Sequence, residues 1–284
     1  MAIFNAAVVQ MRSTTEVERN LAALEQGVSE AAKAGAHYVQ TPEMTGLVQQ
    51  HRKEFFGAIV PQEQDRVVAK AATLARDLGI TLHIGSTPIR LSDTKAANRA
   101  FVFGPQGDLL ATYDKLHMFD VDLDHGERWR ESAVYQPGES AQMVMIYDAL
   151  AGLGICYDMR FPELAKAYGT HHTDILTFPS CFTRQTGQAH WHVLLRSRAI
   201  ENGAFVVAAA QGGEHEDGRT TFGHSMIVNP WGQVIAEVQG EEPGFAVAQI
   251  DTTEVAAARS KVPNLKNSRP FTLQQAMRSK EAAA

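Results

Sequence analysis

Few side chains in this sequence can do covalent chemistry, and four of them sit where apolar runs end or in the long polar stretch between them. Leu153-Gly154-Ile155-Cys156-Tyr157-Asp158 carries a cysteine out of an apolar stretch, and helix-forming sequence starts soon after at Pro162. A thiol at such a strand-to-helix elbow is exposed at a sheet edge, near helical N–H groups that favour an anion. With an unperturbed pKa of about 8.5, only about 3% of it is thiolate at pH 7, so it needs a base to attack. A buried structural cysteine is the other reading of the segment. Glu43 follows Thr41-Pro42, Lys115 follows Tyr113-Asp114, and Glu131 lies in Gly126-Glu127-Arg128-Trp129-Arg130-Glu131-Ser132. Singly, each also fits a solvated strand end or loop charge. Jointly they fit one reaction. A carboxylate takes the thiol proton and returns it to a leaving amine, an ammonium faces the oxyanion of an attacked carbonyl, and a second carboxylate orients the lysine or a water.

Such groups converge only if the strands that carry them end close together. Period-two and apolar runs predict strands over 3–9, 37–41, 80–85, 99–103, 109–113, 143–147, 153–156, 174–178, 205–210, 224–228, 233–238 and 245–250. Helices are expected from a Thr15/Glu18 capping box to a stop at Gly35, and over 62–78, 162–168, 190–201 and 253–260. Residues 116–142 read as a long polar connection, a length that usually marks function. Gly104-Pro105-Gln106-Gly107 and Asn229-Pro230-Trp231-Gly232 echo one another between similar apolar pairs of strands. Each half also runs from a helix and a glycine into a strand ending at proline (Gly35 to Pro42, Gly169 to Pro179). The repeat predicts two similar αβ halves packed sheet to sheet, with helices outside and one shared core.

The 284 residues carry a net charge of −6, a poor balance for a general nucleic-acid or anionic-membrane ligand. No apolar run approaches the roughly 20 residues of a spanning helix, and the N-terminal residues lack a signal-peptide pattern. Two cysteines, Cys156 and Cys181, cannot frame a chain of this length with disulfides. A cytoplasmic protein without nucleic-acid or membrane partners is expected. Cys181 reads as a small packed residue, and Phe182 and Trp191 as core that could also wall a pocket. No dinucleotide fingerprint or P-loop is present, which excludes the usual NAD and ATP sites. A metal hydrolase is one rival, but His190 and His192 are two apart and do not share a helical face. Glu214-His215-Glu216-Asp217 reads as a solvated turn, and neither group has zinc spacing. A non-catalytic binding protein is the other rival.

The sequence resembles the nitrilase superfamily of carbon–nitrogen hydrolases. The resemblance rests on Thr41-Pro42-Glu43, Tyr113-Asp114-Lys115-Leu116-His117 and Gly154-Ile155-Cys156-Tyr157-Asp158-Met159-Arg160-Phe161-Pro162-Glu163. It continues through Gly187-Gln188-Ala189-His190-Trp191, Arg196-Ser197-Arg198-Ala199-Ile200-Glu201-Asn202, Gly223-His224-Ser225 and Asn229-Pro230-Trp231-Gly232. It implies one α/β domain over 1–284, a four-layer α-β-β-α sandwich with a polar tail from about 262. It also implies a Glu43, Lys115 and Cys156 triad assisted by Glu131, with no metal or organic cofactor, in homodimers or larger homo-oligomers. The backbone N–H of Tyr157 would join Lys115 at the oxyanion. Cys-Tyr-Asp-Met-Arg-Phe-Pro-Glu-Leu and Val207-Ala208-Ala209-Ala210-Gln211 look most like the deaminated glutathione amidase branch, whose sister is omega-amidase. The implied substrate is a small carboxylate-bearing amide; nitriles and N-carbamoyl amino acids use the same triad and stay open.

For the substrate carboxylate the candidates are Arg160, four residues past the cysteine, and Arg184. Structural ion pairs are the competing use of both. Three departures from the family pattern stand out. Gln188 and His192 replace the usual Pro and Glu, which should bear on substrate choice. The loop Leu123-Asp124-His125-Gly126-Glu127-Arg128-Trp129 is unusual, and the lead-in 148–152 looks short.

Overall fold

The computed structural model describes residues 2–123 and 128–275. Strands β1 (Ile3–Gln10), β2 (Tyr38–Gln40), β3 (Thr81–Arg90), β4 (Ala96–Phe103) and β5 (Leu109–Asp114) come first, then a ribbon of β6 (Asp120–Asp122) and β7 (Arg128–Arg130). The second half supplies β8 (Gln142–Ile146), β9 (Ala149–Leu153), β10 (Ile175–Thr177) and β11 (Phe205–Ala208). A second ribbon of β12 (Gly212–Glu214) and β13 (Thr220–Phe222) follows, then β14 (Met226–Val228), β15 (Val234–Glu237) and β16 (Gly244–Asp251). The large sheets run β16-β1-β2-β3-β4-β5 and β8-β9-β10-β11-β14-β15. In both, successive pairs are antiparallel, parallel, parallel, antiparallel, antiparallel. The Pro-x-Gly turns therefore occupy equivalent places, between β4 and β5 and between β14 and β15, as the repeat predicts.

The helices are α1 (Val17–Lys33), α2 (Arg52–Ala58), α3 (Arg66–Leu78), α4 (Pro162–Thr170), α5 (Arg184–Asn202), α6 (Thr253–Lys261) and α7 (Asn264–Asn267). β1 is apolar on both faces because it is covered on both. Ala7 and Val9 pack under Leu24 and Val28 of α1 and Ala71 and Leu74 of α3. Ala6 and Val8 face the other way, into a core shared with Leu153, Ile175 and Val206 of the second sheet. That core continues through Leu164 of α4 and Trp191, Leu195 and Ala199 of α5. The layers are thus α1/α3, first sheet, second sheet and α4/α5, an α-β-β-α sandwich.

Several local expectations are corrected. The Thr15/Glu18 capping box does not form, and α1 starts from Glu16 without a side-chain cap. Thr15 instead donates from its backbone N–H (3.2 Å) and its hydroxyl (3.0 Å) to Glu216, while Glu18 pairs with Arg66. α3 starts late because Asp65 caps it, its Oδ1 accepting from Val67 N and Val68 N at 2.9 Å each. The lead-in 148–152 is mostly β9 itself, joined to β8 through Tyr147 at φ +52°. The strand expected over 153–156 therefore ends at Leu153, before the cysteine. α5 begins six residues earlier than the apolar period suggests, because Thr186 and Gly187, not large apolar residues, bury its first turns. Helix α2 and both ribbons went unread. Beyond 262, α7 and the exposed residues after it agree with the polar tail. Residues 124–127 of the unusual loop, and the end of the tail, lie outside the described residues.

Candidate active site

The four chemical groups are delivered by strand ends that the sandwich brings face to face. Glu43 follows β2, Lys115 follows β5 and Cys156 follows β9. The two halves approach very closely here. A β-carbon on Gly85 would lie 2.2 Å from the Thr41 carbonyl oxygen and 2.4 Å from Pro179 Cβ, so only glycine fits. Cys156 holds φ +49°, a left-handed conformation uncommon for a side-chain-bearing residue, and its N–H donates to Pro179 O at 2.9 Å. The tight turn Cys156–Arg160 follows, which lifts the sulfur out of the sheet.

Asp158 braces this elbow, and sequence reasoning passed over it. Its fully buried carboxylate accepts from Ile155 N at 2.9 Å and Tyr113 Oη at 2.7 Å through one oxygen. The other oxygen accepts from His117 N at 3.0 Å and meets His117 Nδ1 at 2.7 Å. The cysteine turn is thereby tied to both flanks of Lys115.

Lys115 Nζ donates to Glu43 Oε1 at 2.8 Å and to Glu131 Oε2 and Oε1 at 2.8 and 3.0 Å. Asn98, also unread in the sequence, donates from Nδ2 to both carboxylates, at 2.9 and 3.1 Å. The backbone N–H of Cys181 donates to Glu43 Oε2 and that of Phe119 to Glu131 Oε2, each at 2.7 Å. The Cys156 thiol and the Glu43 carboxylate are buried side by side, near enough for each to shift the other's charge state. Glu43, Lys115 and Cys156 are only 3%, 2% and 7% exposed, so these charges act on one another with little screening by water.

The resulting charge states differ from those in water. Burial pushes the Glu43 carboxyl up, but Lys115 and the donated hydrogen bonds outweigh it and hold Glu43 below the usual range. Burial, together with repulsion from Glu43, outweighs Lys115 at Glu131 and raises it. Lys115 is held well above its ordinary value: burial opposes its charge, but Glu131 and Glu43 more than compensate. Burial and the Glu43 charge push the Cys156 thiol well up, against the pull of Lys115. At neutral pH the cluster therefore holds a protonated thiol next to an ionised carboxylate, beside a fixed ammonium.

These groups open into a cavity of about 280 Å³. Phe119, Trp129, Tyr135, Tyr157 and Phe182 wall it, and Arg52, Arg128, Arg130 and Arg219 line it with positive charge. Phe182 is thus a pocket wall, whereas Trp191 is core, donating Nε1–H to His224 O at 2.8 Å. Cys181 also lines the cavity, its thiol pushed up to about 12 by burial.

Neither sequence-predicted arginine lines the cavity. Arg184 is committed bidentately to Glu241, at 2.6 Å on each side. Arg160 stands behind the wall, stacked on Phe182 and Tyr157 at 5.1 and 6.0 Å, with both terminal nitrogens 3.3 Å from His190 Nδ1. Arg219 is inside instead. Asp217 grips its Nε and Nη2 at 2.9 Å each, Trp129 flanks it at 5.1 Å, and Nη1 points toward Cys181 Sγ at 3.9 Å. The sequence does not announce it, because the polar run 214–217 beside it has the composition of a solvated turn. Only Glu214 and Glu216 are exposed there; His215 and Asp217 are buried, with His215 bonded to Ser13 O and Thr221 Oγ1 at 2.8 Å. Gln188 and His192 do not line the cavity either, so their departure from the family pattern does not act through direct contact there.

Residues 5–260 match the family model described as carbon-nitrogen hydrolase. The chain is 36% identical over 276 residues to the deaminated glutathione amidase of Synechocystis sp., covering 94% of this chain and 98% of that protein. It is 35% identical over 275 residues to omega-amidase NIT2 of Danio rerio, covering 95% and 96%. Among solved structures, Saccharomyces cerevisiae Nit3, a member of branch 10 of the nitrilase superfamily, superposes with a TM-score of 0.82. Its identity is 28%, over 92% of this chain and 94% of that one. With the same fold, relatives matched almost end to end and a family model spanning both halves of the sandwich, the chain belongs to the carbon–nitrogen hydrolase family.

Proposed function

We propose that the protein is an amidase that hydrolyses the C–N bond of a small carboxylate-bearing amide through a thioester on Cys156. One observation carries this reading: a buried thiol opens into the same cavity as a carboxylate that Lys115, 2.8 Å away, keeps ionised. Glu43 takes the thiol proton as sulfur adds to the amide carbon. The oxygen that gains charge is met by Lys115 and the backbone N–H of Tyr157. Collapse of this intermediate breaks the C–N bond, and Glu43 passes the proton to the departing amine. A water then gives a proton to Glu43 and attacks the thioester, and that proton returns to sulfur as the acid leaves. Glu131 holds Lys115 in place throughout. All proton transfers are carried by these side chains and water, so the cycle calls for no cofactor.

The substrate class rests on charge. Four arginines line this cavity and its two carboxylates are bound by Lys115. Arg128 and Arg130 share Asp122, and Arg219 is held by Asp217 through Nε and Nη2 with Nη1 left toward the cavity. Among the described residues, Arg52 hydrogen-bonds backbone carbonyls alone. An anionic amide is favoured, in keeping with the names of the relatives. Arg219, inside the cavity, is the reader of its carboxylate in place of Arg160 and Arg184. The reading includes one-domain subunits in a homo-oligomer, supported by the exposed apolar Val193, Ile200 and Trp231. It also includes a reducing, cytoplasmic setting that preserves the two free thiols. No helix of the described residues is long and apolar enough to cross a membrane.

The test is a panel of glutaramate-type amides, deaminated glutathione, N-carbamoyl amino acids and nitriles, read by release of amine or ammonia. Anionic amides should be turned over, and Cys156→Ala should be inactive while unfolding cooperatively. Undiminished turnover in that variant, or turnover of nitriles alone, would overturn the proposal.

A further inference from the structure

Away from the cavity, the fold assembles a second group of reactive side chains that no short sequence spacing announces. His192 projects from α5, His224 precedes β14 and Glu237 ends β15. One ligand atom from each of the three residues lies within 4.8 Å of the others. Glu237 Oε1 is 3.0 Å from His192 Nε2 and 2.7 Å from His224 Nδ1. We propose that these three side chains form a binding site for a divalent transition-metal ion of the zinc or cobalt kind, which staples α5 to the β14–β15 hairpin.

The donor set selects the class of ion. Two imidazole nitrogens and one carboxylate suit zinc, cobalt or nickel, whereas calcium and magnesium favour all-oxygen shells. Three protein ligands leave a fourth tetrahedral position for water. Zinc–nitrogen and zinc–oxygen bonds of about 2.0–2.1 Å place tetrahedral ligands about 3.3 Å apart. The two contacts to Glu237 therefore need to open by a few tenths of an ångström. The side chains, at 38%, 24% and 21% exposure, have room to do so and leave the ion a path in.

The backbones beneath them are held. Met226 pairs with Glu237 across the hairpin. His224 sits at φ +56°, its N–H donating to Gly240 O at 3.1 Å and its carbonyl accepting from Trp191, the neighbour of His192. Phe222 stacks on the His224 ring at 4.4 Å and meets His192 edge-on at 6.1 Å.

Proton accounting is straightforward. Each ring nitrogen must present a lone pair to the ion, so a neutral imidazole keeps its proton on the other nitrogen and a charged one releases a proton to water. Glu237 exchanges its histidine partners for the metal. The ion takes no part in C–N cleavage. Its link to the cavity is mechanical, through Phe222, which follows the cavity-lining Thr220 and Thr221, and through Thr186 on α5.

The test uses the full chain in the Cys156→Ala background, so that the catalytic thiol does not compete for metal. Chelator-treated protein is titrated with Co2+, then with Zn2+, and thermal unfolding is followed at each step. One Co2+ per chain with visible d–d bands, displaced by Zn2+ with a rise in melting temperature, is expected. His192→Gln and Glu237→Gln should each weaken binding by more than about 100-fold, beyond what loss of an outer partner of a ligand costs. His171→Gln, on the exposed residue after α4, should not. Absence of one-to-one binding, or equal binding by the parent and folded His192→Gln and Glu237→Gln proteins, would overturn the site.

Discussion

Replacing Glu43 by glutamine keeps the shape of the buried cluster but removes its base. Every neighbour of the Glu43 carboxylate is a donor: Lys115 Nζ and Asn98 Nδ2 on one oxygen, the Cys181 N–H on the other, and the thiol. A glutamine NH2 must therefore oppose a donor wherever it is placed, which costs about 1–3 kcal/mol. Loss of the repulsion between Glu43 and Glu131 offsets part of this, so the variant should fold. Catalysis suffers far more. A positioned acid–base group contributes about 10²–10⁴-fold, and here Glu43 serves both the leaving amine and the attacking water. We expect kcat for amides to fall about 10⁴-fold, or about 5.5 kcal/mol at 1.36 kcal/mol per tenfold. Stopped-flow acylation separates the two duties. A p-nitrophenyl ester expels an anion that needs no proton, so its acylation rate should fall at least about tenfold less than that of the matching amide. Amide turnover within about tenfold of the parent, in a protein with an intact unfolding transition, would refute Glu43 as the base.

Three further outcomes follow from the same geometry. Arg219→Leu should raise KM for anionic amides about tenfold or more while neutral amides change little, and Arg184→Leu should change neither; a steady-state comparison of the two substrate classes decides. Asp158→Asn places an amide among four donors, so urea unfolding should show a loss of about 1–3 kcal/mol, with reduced kcat because the elbow is no longer tied to the Lys115 segment. On the acid side, Glu131 should protonate first and Glu43 second, since the former is raised and the latter depressed. The Glu43 contribution to stability is present above its unfolded pKa and lost as pH falls through the lower folded value. Activity should therefore decline in two steps, and Glu131→Gln should remove the upper one. A single unaltered step in pH–rate profiles of both proteins would contradict this.

The sequence by itself determined what depends on near neighbours. The apolar spacing of Leu21, Leu24, Val28 and Ala31 specified the buried face of α1, and the Pro-x-Gly echo specified two halves with matching hairpins. It also placed Glu43, Lys115 and Cys156 at strand ends. What only the tertiary structure decided is which charged group meets which. Thr15 lost its capping role to Glu216, Arg184 was taken by Glu241, and Arg219 entered the cavity on a ribbon whose turn read as solvent-exposed. Asn98 and Asp158 gained their roles because donors from separate strands converge on them. The physical reason is range. Backbone periodicity and apolar burial are written within a few residues. Ion pairs and hydrogen bonds between side chains act over a few ångströms in space, and only the packing of the two sheets sets which partners come that near.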